Sequence, residues 1–511
     1  MVFERRAGIL LHPTSLPGPY GIGTLGQEAY NWVGFLEAAG MRLWQVMPLG
    51  PTGYGDSPYQ CFSAFAGNPF LIDVPKLIEE GYLRQEDVAD APEFAHSQVD
   101  YGPVIGYKLE LLKRAYTNFT ESANDEKRSR FDAFCETQAY WLDDYTLFMA
   151  LKEAHDGQPW NTWDEDIRSR KKKALKDWTR KLSDEIERQK LWQWLFYEQW
   201  LALKSYANKR DIQIIGDIPI FIAYDSADAW ANPELFYFDE SGNPEVVAGV
   251  PPDYFSETGQ RWGNPLYDWE ALHKNKYAWW IKRFESNLDF YDLIRVDHFR
   301  GFEAYWEIPA DEPTAVNGKW VKAKGRELFA AVKKALGDIP IIAEDLGVIT
   351  PAVEALRDEA GFPGMKVLQF AFGGDYHEPY LPHMYIQNSV VYTGTHDNDT
   401  TRGWFEKAPE NERDFVRRYL ARGDENIVQD LMRLAFASTA NTALVPLQDV
   451  LDLGSEARMN TPGEAVGNWS WRFDWEQLPY WLAPQLKEMA ELYGRLEAKE
   501  VEDTAYRQSV E

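Results

Sequence analysis

Three acidic residues stand at the ends of short apolar runs, at widely separated positions in the chain. Asp297 lies in IRVDHF, Glu344 ends the run IIAE, and Asp397 lies in VYTGTHDN. A carboxylate can act as a nucleophile when it is ionised, and a carboxyl group can act as a general acid when it is protonated. The three acids are therefore candidate catalytic groups, provided that the fold brings them together.

The neighbours of these acids favour different roles. Arg295 precedes Asp297 by two residues, so in a strand both side chains point to the same side, and the adjacent cation favours the ionised form that a nucleophile requires. Glu344 follows the apolar residues 341–343, a dry setting that raises a carboxyl pKa and suits a general acid. Taken singly, each acid could instead cap a helix or form a salt bridge, but three such strand ends favour one shared site.

Several other polar residues near strand ends have simpler explanations. They are Asp217, Asp345, Asp399, His298 and His396. The aspartates are typical of groups that orient a neighbour or cap a helix, and either histidine alone could be a packing residue. A barrel hydrolase that binds zinc commonly carries a His-x-His on its first strand, whereas His12 stands alone there. The pattern therefore disfavours a metal site, and we expect no cofactor.

A regular alternation of strand and helix patterns must position the acids. Eight β-rich apolar runs are typical of strands buried on both faces of a parallel sheet. They cover residues 7–11, 43–49, 212–221, 291–299, 339–346, 365–370, 389–397 and 443–451. Helical patterns lie between most of them, so the sequence predicts a closed (β/α)₈ barrel with its active site at the carboxyl ends of the strands. An open doubly wound sheet is the alternative, but no GxGxxG follows the first strand.

The connections between these strands are uneven. We expect a single barrel over residues 1–511, with a mainly helical insertion at 50–211 and a second insertion at 222–290. No β-sandwich-like run follows the eighth strand, so we expect no C-terminal sandwich domain.

The second insertion contains a segment rich in Pro, Gly and aromatic residues at 247–267. Long loops of this kind usually form lids or binding loops. Tyr254 and Phe255 are therefore candidate lid residues.

Composition narrows the class of partner. A formal charge of −28 argues against nucleic acid, because phosphate contacts need clustered Lys and Arg. Aromatic residues make up 15% of the chain, which suits stacking on sugar faces, although a large core also uses aromatic residues. With only two cysteines, no signal-peptide pattern and no apolar stretch of about 18 residues, we expect a cytoplasmic protein that does not enter the membrane.

The strand-end segments resemble the four short signatures of the α-amylase superfamily. They are GDIPIF on the third strand, RVDHFRG on the fourth, AEDLG on the fifth and THDND on the seventh. More narrowly, LHPTSLPGPYGIGTLG, GYGDSPYQCFSAFAGNP, PPDYFSETGQRWGNPLY and IRVDHFRGF resemble the amylomaltase family over almost the whole chain. General α-amylases lack those segments.

This resemblance implies a 4-α-glucanotransferase that transfers α-1,4-glucan segments by a retaining double displacement. Asp297 would be the nucleophile, Glu344 the acid and base, and Asp397 the residue that holds the sugar hydroxyls. The resemblance also implies an orienting or sugar-binding role for further residues: Arg295, His298, His396, Tyr59, Ser57, Trp262, Asn468 and Asp217.

The expected partners are maltodextrins, glucose and glucans from starch or glycogen, and the sequence does not determine the oligomeric state. Two rival hypotheses remain open at this point. An α-1,4-glucan hydrolase could use the same three carboxylates, since only the acceptor differs. A catalytically silent glucan-binding protein is the other, but such a relative would be expected to have lost at least one acid.

Overall fold

The computed structural model describes residues 3–252, 256–464 and 466–496. Its strands are β1 (Arg6–Leu10), β2 (Leu43–Gln45), β3 (Gln213–Pro219), β4 (Val246–Val250), β5 (Gln260–Pro265), β6 (Leu293–Asp297), β7 (Ala304–Pro309), β8 (Lys319–Lys322), β9 (Ile341–Ala343), β10 (Gly364–Val367), β11 (Ser389–Tyr392) and β12 (Thr442–Pro446).

The α-helices follow the same chain order. They are α1 (Gln27–Ala38), α2 (Val74–Glu79), α3 (Tyr101–Ser122), α4 (Asp125–Ala154), α5 (Glu165–Arg168), α6 (Lys172–Lys181), α7 (Ser183–Asn208), α8 (Ala227–Ala231), α9 (Trp269–Lys274), α10 (Ala278–Phe290), α11 (Gly325–Leu336), α12 (Pro351–Ala360), α13 (Thr401–Lys407), α14 (Glu410–Leu420), α15 (Ile427–Ala437), α16 (Leu447–Val450) and α17 (Leu482–Leu492). Within the described ranges, no helix combines the length and the apolarity that a membrane span needs.

Eight of the strands form a closed parallel barrel, as the sequence predicts. Their order around the barrel is β1-β12-β11-β10-β9-β6-β3-β2, and β1 closes the ring by pairing with β12 and β2. The closed ring excludes the open doubly wound alternative. Side chains from seven of these strands, including Leu43, Ile215, Ile342 and Val390, form one buried cluster with the adjoining apolar residues. The barrel is therefore filled with side chains, so a substrate must bind at its mouth.

A buried arginine joins the chain ends at the seam of the barrel. Arg495 donates from Nη1 to the carbonyl oxygens of Arg6, at 3.1 Å, and Asn441, at 3.0 Å. Its Nε donates to the carbonyl oxygen of Phe436 at 2.8 Å. Because β1 and β12 are the first and last strands of the barrel, these contacts hold the seam closed.

The second sheet of the molecule is a difference from the sequence prediction. It has four antiparallel strands in the order β5-β4-β7-β8. The segment 247–267, which the sequence suggested was one long loop, contributes most of β4 and all of β5 to this sheet. Val247 of β4 is buried with Ile308 of β7, so apolar packing explains why the strands form. Only residues 251–259 connect β4 to β5.

Candidate active site

A row of three charged side chains crosses the ends of β3 and β6. Arg295 is buried, and its Nη1 donates to Asp217 Oδ2 at 2.6 Å, while its Nη2 lies 2.9 Å from Asp297 Oδ1. Asp217 and Arg295 are register partners in the barrel, which explains their contact. Asp217 also accepts a hydrogen bond from the Tyr59 hydroxyl at 2.9 Å. Arg295 is thus fixed by Asp217 and presents its other nitrogen to the partly exposed Asp297.

Glu344 directly follows β9 and lies beside the segment that carries Asp297. Its Oε2 accepts from the backbone N–H of His298 at 2.7 Å, and its Oε1 accepts from that of Leu346 at 2.9 Å. His298 has a φ of 53°, a left-handed conformation that is strained for a residue with a side chain. The donor that holds Glu344 therefore belongs to the residue next to Asp297, which brings the two acids to the same side of the barrel mouth.

The environment of Glu344 agrees with the expectation from its apolar run. Burial raises the pKa of Glu344 well above its ordinary value, and the negative charge of Asp297 raises it further. Arg295 and the two backbone N–H donors act in the opposite direction but do not cancel the effect of burial. A raised pKa of this kind favours the protonated form that a general acid needs.

The third acid lies in the segment after β11, beside aromatic side chains. Asp397 Oδ1 accepts from Asn460 Nδ2 at 2.6 Å, and its Oδ2 lies 3.4 Å from His396 Nε2. The His396 ring stacks on the Tyr59 ring, with centroids 5.2 Å apart and planes 16° apart. Because Tyr59 also contacts Asp217, it links the Asp397 side of the mouth to the charged row.

Two histidines of the site have little access to solvent: His396 is buried, and His298 is partly buried. Burial lowers the pKa of His298 to about 3, and burial also lowers the pKa of His396. His298 Nε2 and His396 Nδ1 make no hydrogen bond to other described residues. Buried nitrogens without a partner are costly, so these two are exceptions among the buried polar groups of the described residues.

The other expected site residues lie around this centre in different ways. Trp262 meets the His298 ring edge to face, with centroids 4.8 Å apart. Ser57 Oγ accepts from the backbone N–H of Tyr59 at 3.2 Å, so it shapes the loop that carries Tyr59. Asn468 Oδ1 accepts from the N–H of Thr461 at 2.9 Å, next to Asn460.

The expected lid residues Tyr254 and Phe255 lie outside the described residues. In the ranges that are described, no three His, Cys, Asp or Glu side chains are grouped so that they could hold a metal ion.

Two residues that contact Asp397 were not predicted from the sequence. Asn460 contacts the Asp397 carboxylate, and Arg458 Nη2 donates to the Asp397 carbonyl oxygen at 2.6 Å. Both lie after β12 in ARMNT, which ends no strand and carries no acid. Only the proximity of the β11 and β12 ends in the closed barrel could have indicated them.

A buried aspartate clamps the segment that carries His396 and Asp397. Asp449 Oδ2 accepts from the hydroxyls of Thr393, at 2.5 Å, and Thr401, at 2.6 Å, and its Oδ1 accepts from the N–H of Thr401 at 2.7 Å. The two threonines are the two ends of this segment. Asp449 thus fixes both ends with one carboxylate.

Replacing Asp449 with alanine is expected to lower the free energy of unfolding by about 3 kcal/mol, because three buried donors lose their acceptor. Turnover should fall by roughly tenfold, since the segment that positions Asp397 loosens. Denaturant midpoints and initial rates provide the measurement. Asp452→Asn is the control, because asparagine tolerates the left-handed backbone of this position and the partly exposed pair with Arg402 contributes about 1 kcal/mol or less. Equal effects of the two variants would contradict the clamp.

Comparisons with known proteins agree over nearly the whole chain. The family model described as 4-alpha-glucanotransferase, glycoside hydrolase family 77, matches residues 11–477. A 4-alpha-glucanotransferase of Thermus thermophilus is 56% identical, covering 97% of this chain and all of the relative. One from Synechocystis sp. is 53% identical, covering 97% of this chain and 99% of the relative.

A solved structure gives the same answer for the fold. The amylomaltase from Streptococcus agalactiae, determined in complex with acarbose, superposes with a TM-score of 0.93. It is 41% identical and covers 96% of this chain and all of its own. The residues that the family model matches include the second sheet and every segment that contributes to the site. The chain belongs to glycoside hydrolase family 77 and is a 4-α-glucanotransferase of the amylomaltase type, an enzyme that acts on α-glucans.

Proposed function

We propose that the enzyme moves α-1,4-glucan segments from a maltodextrin donor to the 4-hydroxyl of glucose or of another glucan, in two displacements at one anomeric carbon. Asp297 attacks that carbon, and the bond to the leaving oxygen breaks as the Glu344 proton passes to that oxygen. The acceptor hydroxyl then attacks the covalent intermediate and gives its proton to Glu344. Two inversions leave the α configuration unchanged.

One observation carries this assignment more than any other. The Glu344 carboxylate accepts from the N–H of His298, the residue that follows Asp297. A retaining mechanism needs the two carboxyl groups about 5 Å apart, on either side of one linkage. Acids on neighbouring strands, joined by a single backbone donor, are compatible with that spacing. Asp297 pairs with Arg295, whereas Glu344 is buried and its pKa is raised. These different surroundings support Asp297 as the nucleophile and Glu344 as the general acid.

Asp397, His396 and His298 would bind the sugar at the cleavage point. Asp397 is held by Asn460 and leaves part of its carboxylate exposed, so it can accept from sugar hydroxyls. The Tyr59 face, the Trp262 indole and the Ser57 and Asn468 loops would border the glucan, and Asp217 would keep Arg295 in place. The insertions at 50–211 and 222–290 would wall the cleft, with Tyr254 and Phe255 shielding the intermediate from water.

Maltodextrins, glucose and glucans from starch or glycogen are the proposed substrates. A cytoplasmic location is also proposed, supported by Cys61 and Cys135, which are both free thiols.

Incubation with maltotriose alone tests the proposed reaction. Transfer is expected to give glucose together with maltotetraose and longer chains. The total number of reducing ends should stay constant, because each bond broken is replaced by a bond formed. Chromatography of the products and a reducing-end assay on the same samples provide the measurement. Glucose and maltose with rising reducing ends would instead establish hydrolysis.

A further inference from the structure

An exposed tryptophan on the second sheet has no part in the hydrophobic core. Trp320 of β8 is 39% exposed and packs in none of the hydrophobic clusters formed by the described residues. Its register partner Trp306 does pack against the cluster of Val247 and Ile308. The two indoles meet edge to face, with centroids 5.2 Å apart. Core packing therefore accounts for Trp306 but not for Trp320.

A buried arginine holds the Trp320 indole in place. The guanidinium carbon of Arg300 lies 3.7 Å from the centroid of the indole, a cation–π contact. Arg300 is itself buried, and its Nη1 donates to the carbonyl oxygen of Val348. The indole is thus held by a buried cation and by an edge-to-face contact with Trp306, and 39% of Trp320 remains exposed to solvent. An aromatic ring held in this way is organised in advance for a ligand.

The position of this indole follows from the segments beneath it. Arg300 lies two residues after His298, and Val348 lies four residues after Glu344. His298 and Leu346 in these segments supply the two backbone donors that bind the Glu344 carboxylate. The Trp320 indole therefore lies on the same side of the barrel mouth as Glu344. Tyr59, His396 and Asp397 form the other group of side chains at this mouth.

The position of Glu344 determines which part of the glucan lies on its side of the site. A general acid protonates the oxygen of the group that leaves, and the acceptor later enters at the same place. The leaving or accepting part of the glucan must therefore extend from Glu344 over the segments that support Trp320. We propose that the Trp320 indole is a binding platform for a distal glucose unit of the acceptor chain. This inference rests on the proposed roles of Asp297 and Glu344.

The chemistry of a glucan suits such a platform. A pyranose ring has a face of C–H groups that can stack on an indole, and its hydroxyls can remain in water at an exposed site. Because the indole rests on Arg300, we expect an acceptor chain of several units to reach it and a single glucose bound next to Glu344 not to reach it. The platform should therefore strengthen the binding of long acceptors and leave glucose unaffected.

Replacing Trp320 with alanine tests the platform. With maltoheptaose as the acceptor, KM is expected to rise about five- to tenfold, the usual scale of one aromatic stacking contact. The KM for glucose as acceptor and the kcat should each change less than about twofold. Trp320→Phe should recover most of the affinity for maltoheptaose. The matched control is Trp481→Ala, which removes a 51% exposed tryptophan just before α17.

A binding measurement separates this inference from the catalytic assignment. Calorimetric titration of maltoheptaose into Asp297→Asn, with and without Trp320→Ala, reports affinity without turnover. A weaker affinity only in the double variant supports the platform, whatever role Asp297 has. Equal affinities, or a KM that rises equally for glucose and maltoheptaose, would overturn it. If the wild-type enzyme transferred no glucan segment to glucose, the proposed function itself would be refuted.

Discussion

Asp297→Asn is expected to lower turnover by about 10³-fold or more, with the fold retained. An amide cannot form the covalent bond to the anomeric carbon, so the first displacement has no nucleophile. The fold should persist because Asp297 is partly exposed and because Arg295 keeps its pair with the buried Asp217. Initial rates with maltotriose and a thermal unfolding curve provide the measurement. Asp375→Asn, an exposed acid between β10 and β11, is the control and should keep its rate.

Rescue by azide distinguishes a missing nucleophile from other causes of a lost rate. With α-glucosyl fluoride as donor, azide can enter the space left in Asp297→Ala and replace fluoride in a single displacement. One displacement inverts the anomeric centre, so the expected product is the β-azide. If azide restores nothing and Asp297→Asn keeps a near-native rate, Asp297 is not the nucleophile.

The barrel could be predicted from the sequence because its strands are buried on both faces. Runs such as 389–397 contain the whole of β11, and each of the eight predicted runs contains or overlaps a barrel strand. The predicted runs extend beyond the strands because apolar residues continue into the segments at the barrel mouth. The helical patterns expected between the strands likewise correspond to helices such as α11.

The antiparallel sheet was missed for a physical reason. Its strands are short and lie in segments with many Pro and Gly residues, such as VAGVPP around the end of β4. Their pairing joins β4 to β7, about 60 residues later in the chain, which no local pattern specifies. Trp320 was missed with them, because its role depends on Arg300 beneath it.

In the site, the sequence predicted the arrangement of residues within one strand end, but it did not predict contacts between residues on different strands. The alternation of Arg295 and Asp297 predicted one shared side, and the two side chains form an ion pair. The apolar run before Glu344 predicted a raised pKa, and burial produces it. Asn460 was not predicted, because its contact with Asp397 depends on barrel closure. The left-handed conformation of His298 is likewise set by the surrounding structure and not by its residue type.

Glu344→Gln is expected to remove several orders of magnitude of turnover with maltotriose, since an amide cannot protonate the leaving oxygen. Fluoride leaves without a proton, so α-glucosyl fluoride should still form the covalent intermediate in this variant. Azide should then trap it as the α-azide, because two displacements retain the configuration. A variant that is equally slow with fluoride and maltodextrin donors, with or without azide, would contradict the role of Glu344 as general acid.

The pH dependence provides a second measurement on the same residue. Glu344 must be protonated for the first step, so kcat/KM of the wild type should fall as pH rises through its raised pKa. The same group affects the free energy of unfolding. The stabilising contribution of the raised pKa is fully present below the ordinary pKa of 4.5 and is lost as pH rises through the pKa of the folded protein. Glutamine cannot ionise, so unfolding curves should show a smaller loss of stability for Glu344→Gln than for the wild type across this range. Parallel losses in the two proteins would show that Glu344 does not titrate there.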